Sequence, residues 1–126
     1  MAQRARAARR CVRERENERG SATAELAVAL PAVVVLLIAV LVLTAAATTQ
    51  LRCADAARAG ARSAALGEDQ AMVAAQAEHI AGPGAAVEVA QEGEWVTVTV
   101  RSAATAGGLG IAPLRVSGAA TARVEP

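Results

Sequence analysis

The stretch LAVALPAVVVLLIAVLVLTAAA, residues 26–47, runs for 22 residues without a charge. As a helix rising about 1.5 Å per residue it spans about 30 Å, the hydrocarbon thickness of a bilayer. A soluble core helix this apolar needs packed layers on every side, and 126 residues leave little chain to build them. The segment therefore reads as a membrane span.

Its flanks give it a direction. Residues 1–20 carry seven arginines against Glu14, Glu16 and Glu18, whereas the remainder of the chain leans acidic, although the whole molecule has a net charge of only +1. Positive charge gathered before the span predicts a cytoplasmic N-terminus, with residues 48–126 on the far side. Cys11 and Cys53 then fall in different compartments and do not pair with each other. Neither has a neighbouring Cys or His at metal-ligand spacing. Cys53 reads either as a small apolar residue on a packed helix face or as one half of an intersubunit disulfide.

Composition narrows the function. One Trp, no Phe and no Tyr argue against an aromatic stacking platform for nucleic acid and against an aromatic-lined cofactor pocket. No Ser/His/Asp or Cys/His arrangement, no paired acids in a framed cleft and no metal-ligand spacing stand out. The expectation is a non-enzymatic chain with no cofactor, no metal and no nucleic-acid partner. His79 has no Cys, Asp or Ser partners in pattern and reads as structural.

At the entrance to the span, the order ERGSATAELAVALPAVVVLL puts Glu25 at the head of the apolar helix. A carboxylate close to hydrocarbon costs a few kcal/mol unless it lies at the interface or has a partner. Facing the positive end of the helix dipole offsets about 0.3–1 kcal/mol of that. Gly20 stands five residues before Glu25, behind a basic leader. This spacing resembles the prepilin peptidase site of type IV pilins, in which a cut after glycine leaves an acid as the fifth residue of the mature chain. Cleavage would fall between Gly20 and Ser21.

The run RGSATAELAVALPAVVVLL, followed by AARAGARSAAL and a terminal VTVTV pattern, is similar to the TadE-like minor pilins, or pseudopilins, of tight-adherence type IV pilus systems. The resemblance covers residues 19–66 well and the rest in outline. It implies a structural subunit whose partners are a prepilin peptidase, other pilins and a membrane assembly platform. It also implies a pairing of the freed Ser21 amine with Glu25 of a neighbour, which would set subunit register. Two other readings share the leader and span: an uncleaved bitopic accessory subunit, or a small secreted binding protein released near Ala47 by a signal peptidase.

Pro31 removes the backbone donor to the Ala27 carbonyl and reads as a packing kink or as a tolerated residue near the start of the span. Beyond the span the helical pattern continues to Leu66. Arg52, Asp55, Arg58 and Arg62 fall within about 120° of the wheel, and Cys53, Ala57, Gly60, Ala61 and Ala64 lie nearly opposite. The small face admits close approach of a sheet or of a neighbouring helix. The charged face is a solvated surface or a source of salt bridges to other pilins.

Glu68-Asp69 opens a second helix ending at residue 81, its apolar side assigned to Met72, Val73, Ala77 and Ile80, and Gly82-Pro83-Gly84 stops it. Thereafter the period is two. Val87 and Val89, a turn at Glu92-Gly93, and Val96, Val98 and Val100 make a hairpin. A Gly-rich connection, residues 106–112, and a third strand from Leu114 to Val124 follow. Trp95, opposite the valines, is a partly covered surface residue or a candidate intersubunit anchor.

The expected architecture is α+β: a leader (1–20), a membrane-spanning and extended helix (21–66), and a small extracytoplasmic unit (67–126) with a short helix and a three-stranded antiparallel sheet. A domain of about 60 residues buries only about 60% of its unfolded surface, so that unit needs cover from the long helix or from a neighbour.

Overall fold

The computed structural model describes residues 2–108, 110 and 112–125. Helix α1 (Ala2–Ala65) is followed by α2 (Gln70–Ala81) and by strands β1 (Ala86–Glu92), β2 (Trp95–Ala104) and β3 (Leu114–Arg123). The fold is α+β. Leu109 and Ile111, in the Gly-rich connection, lie outside the described residues.

The chain forms two compact units, Met1–Val40 and Leu41–Pro126, whose boundary falls inside α1. The first unit is helical throughout its described residues. The basic leader, marked in the sequence by its charge alone, is part of this helix because Ala, Arg and Glu are strong helix formers. The helix passes through Pro31 without interruption.

In the second unit α1 ends in a Schellman motif. Gly67 N–H donates to the Ala64 carbonyl (3.1 Å) and Glu68 N–H to the Ser63 carbonyl (3.3 Å). Gly67 takes φ +83°, the left-handed conformation that this cap requires. Asp69 occupies the N-cap of α2 without a side-chain cap hydrogen bond. The two acids thus precede the helix rather than filling its first turn.

The buried side of α2 is Val73, Ala77 and Ala81. Met72 and Ile80, expected on that side, are exposed. A spacing of four keeps the small residues in one line toward the sheet, and Met72 and Ile80 both turn to the same side of that line, about 140° and 60° from Ala77.

The sheet has the order β1-β2-β3, antiparallel throughout. Glu92 pairs with Trp95, so the two-residue turn is Gly93-Glu94, one residue later than the sequence suggests. Val96, Val98 and Val100 of central β2 are buried. They pack with Cys53, Ala57 and Ala61 of α1 and with Val73 and Ala77 of α2. The long helix therefore supplies the cover that the sheet lacks by itself.

Helix and sheet approach closely because both present small residues. A Cβ on Gly60 would stand 3.0 Å from Val98 Cγ1. A Cβ on Gly118, on β3, would stand 2.6 Å from the Ala54 nitrogen and the Cys53 carbonyl carbon, so here backbone meets backbone. Ser63, buried at the rim, donates to Gln76 Oε1 (2.5 Å), which ties α1 to α2 and satisfies its own hydroxyl.

Candidate functional site

Gly20, Ser21, Glu25 and Pro31 lie on one continuous helical segment of the first unit, and all four are exposed. No heavy atom beyond the local helix comes within 4 Å of a Cβ built on Gly20. Thr23 Oγ1 donates to the Arg19 carbonyl (2.9 Å), a back-bond along the helix that keeps its hydroxyl satisfied. Glu25 lies one turn beyond Ser21, at the edge of the apolar run.

The apolar run beyond it has no cover. Val28, Leu30, Val35, Leu36 and Leu43 are each more than 60% exposed. Burying such a side chain is worth about 1.5–3 kcal/mol. A helix showing this surface on all sides demands lipid or other apolar helices around it. By length and hydropathy α1 is a candidate membrane span.

In the second unit Cys53, Ala57, Gly60, Ala61 and Ala64 are all buried, Cys53 completely. Ala56 and Ser63 belong to the same face and were not singled out from the sequence. Their i+3 and i+7 spacing from Cys53 and Ala56 is the signal that extends the stripe. Arg52, Asp55, Arg58 and Arg62 are exposed, and Arg58 reaches Asp55 at 3.4 Å. The face that carries Cys53 is thus occupied by the chain's own sheet.

Burial pushes the Cys53 thiol above its ordinary pKa. Cys11 is exposed. Both geometry and protonation slow attack at Cys53, since only the thiolate reacts. In the folded full-length chain, made in a host without a prepilin peptidase, a maleimide is expected to modify Cys11 at least about 100-fold faster than Cys53, with the difference lost in denaturant. Quantitative mass spectrometry of the two cysteine peptides measures this ratio, and equal rates would overturn the packing assignment.

Trp95 is 54% exposed on the outer sheet face, beside its cross-strand partners Glu92 and Arg123. That face also holds Thr97 Oγ1 3.0 Å from Thr121 Oγ1, and ion pairs Arg101–Glu88 (2.9 Å) and Arg123–Glu94 (2.6 Å). Such exposed pairs are worth about 0–1 kcal/mol each, so they decorate the sheet rather than hold it. Among the described residues no group of His, Cys, Asp and Glu is arranged to hold a metal.

The uncovered helix, its acid and its glycine lie together in the stretch to which comparison with protein families points. Residues 20–62 match the TadE-like protein family. This TadE-like segment begins on Gly20, runs through Glu25 and the apolar run, and ends on the small-residue face that packs against the sheet. The sheet itself lies beyond the match. Comparison with curated proteins and with solved structures gives no match.

Proposed function

We propose that the chain is a minor pilin, or pseudopilin, of a tight-adherence type IV pilus system, a structural and non-enzymatic subunit. The observation that carries this reading is the start of the TadE-like match on Gly20, five residues before an acid that opens the apolar run of α1, whose surface is uncovered. The leader faces the cytoplasm, residues 26–47 span the membrane, and the sheet-bearing unit lies outside. A prepilin peptidase cuts between Gly20 and Ser21. The mature subunit then joins other pilins through a membrane assembly platform.

The chemistry is one of charge placement. Cleavage frees the Ser21 amine at the cytoplasmic edge of the helix, and a neighbour's Glu25 neutralises it as both leave water. An unpaired charge inside a helix bundle is strongly disfavoured, so pairing fixes the axial register of adjacent subunits. A cut near Ala47 would instead separate residues 20–47 from 48–62, which the TadE-like match joins.

The mature N-terminus tests the assignment. Mass spectrometry of protein from a host with the peptidase is expected to find Ser21 as the first residue. Met1 would select an uncleaved bitopic accessory subunit, and a start near Thr48 a secreted protein. Either result removes the pilin reading.

A further inference from the structure

Helix α1 and strand β3 climb side by side through the second unit. Gln50 Nε2 donates to the Ser117 carbonyl (2.6 Å), Gly118 lies against Cys53 and Ala54, and Glu125 N–H donates to the Ala65 carbonyl (3.2 Å). Contacts therefore ascend in the same order on both elements. Traced backwards, α1 reaches Ala47, the last residue of the apolar run, about 4.5 Å below Gln50. Traced backwards from Ser117, β3 reaches Leu114 about 10 Å lower. The start of β3 is level with the end of the apolar run, not above it.

What stands at that level suits a headgroup layer. Leu114 is 44% exposed. Arg115 follows it, and Arg101 lies one diagonal step away on the same outer face, both exposed. Arg52, also exposed, is two residues past Gln50. Among the described residues Arg115 and Arg52 have no ion-pair partner, whereas Arg101 holds Glu88 at 2.9 Å. Glu78 and His79, late in α2, border this pole next to Gly84.

The opposite pole is acidic. Glu92, Glu94 and Glu125 gather there beside Trp95 and Arg123, with Glu68 and Asp69 just past the end of α1. The charge is thus divided along the axis of α1, with Arg115 and Arg52 unpaired at the end nearest the apolar run and five acids at the other, where Arg62 is the unpaired arginine among the described residues.

We propose that this pole docks on the anionic phospholipid headgroups of the leaflet from which α1 emerges. Leu114 enters the interface, and Arg115, Arg101 and Arg52 hold lipid phosphates. Arginine suits the task because its apolar stem lies along the interface and its planar fork matches a phosphate. The inference rests on residues 26–47 spanning a bilayer and is independent of cleavage at Gly20.

The single tryptophan makes the test direct. The full chain is placed in two sets of vesicles of phosphatidylglycerol and phosphatidylcholine, with acyl chains brominated near the headgroup in one and near the bilayer centre in the other, and quenching is read at three positions. These are native Trp95, Leu114→Trp in a Trp95→Phe background, and Leu37→Trp in the same background, with retained Cys53 protection certifying the fold. Ala103→Trp, at the exposed cross-strand partner of Arg115, replaces Leu114→Trp if that protection is lost.

Positions 37 and 114 are expected to be quenched and position 95 spared, since the β2–β3 register puts Trp95 about 26 Å above the row of Arg115. Adding Arg101→Gln and Arg115→Gln, or omitting phosphatidylglycerol, is expected to cut quenching at 114 by about half or more and leave 37 unchanged. Quenching at 37 with 114 resembling 95 overturns the docking and leaves the span intact. No quenching at 37 overturns the span and the docking together. A blue shift at 114 without bromine quenching assigns the pole to a protein neighbour, and indifference to the charge changes removes the phosphate contacts; either result overturns the proposal.

Discussion

Replacing Gly118 with valine is expected to abolish the folded second unit. A Cβ there would lie 2.6 Å from the Ala54 nitrogen and the Cys53 carbonyl carbon and 2.7 Å from the Ala54 Cα. These are backbone atoms of a helix, so no rotamer change relieves the clash, and α1 must lift off β3. Alanine at this position already costs about 1–3 kcal/mol by overpacking, and valine adds two more methyl groups to the same gap. A small unit stabilised by only about 3–5 kcal/mol does not survive that loss. Gly60→Ala is the control. Its neighbours are side-chain atoms, Val98 Cγ1 at 3.0 Å, Ala77 Cβ at 3.5 Å and Val73 Cγ1 at 3.6 Å, so a shift of a few tenths of an ångström in buried Val98 is offset by the about 0.8–1 kcal/mol that a helix gains from alanine over glycine. Near-neutral stability is expected there. Cys53 alkylation in a Cys11→Ser background reports both variants: protection is lost for Gly118→Val and kept for Gly60→Ala. Retained protection in Gly118→Val would mean that helix and strand do not meet at this point.

The rank of these two glycines shows what the sequence does and does not reveal. Alternation of Val96, Val98 and Val100 with threonine is a local pattern, and so is the small face from Cys53 to Ala64; both elements are legible because each repeats on its own. Gly118 is also visible as an interruption of an apolar strand face, a recognised sign of close backbone approach. What approaches it is a long-range fact, fixed only when the crossing point of α1 at Cys53 and Ala54 is known. Met72 and Ile80 fail for the opposite reason. They are the largest apolar residues of α2, yet helical phase turns them about 140° and 60° away from Ala77, and the line of Val73, Ala77 and Ala81 faces the sheet. Size points to a core position, and the helical period excludes it. The pair Gly20 and Glu25 differs from both, because the meaning of its spacing lies in another molecule. Within this chain the two residues are simply exposed positions on a helix.

Glu25→Gln is expected to leave maturation intact while lowering incorporation into a filament by about 100-fold or more. Glutamine keeps the size and hydrogen-bonding capacity of the side chain and removes only the charge. If Glu25 acted merely on its own helix dipole, the loss would be worth about 0.3–1 kcal/mol and assembly would fall several-fold at most. If it neutralises a neighbour's Ser21 amine, the substitution strands a cation in a bundle of apolar helices, and removing one partner of such a pair costs about 3–5 kcal/mol. The two magnitudes are far enough apart to be told from one assay, immunoblotting of sheared filaments against the membrane pool. Gly20→Leu supplies the complementary defect. Its chain is expected to retain Met1, to have no Ser21 amine and to remain in the membrane with Glu25 intact. Combining the two substitutions then adds nothing, since cation and carboxylate act only as a pair. Wild-type incorporation by Glu25→Gln would reduce this acid to a helix-capping charge and leave the register of the subunits to be set by the shapes of the apolar helices.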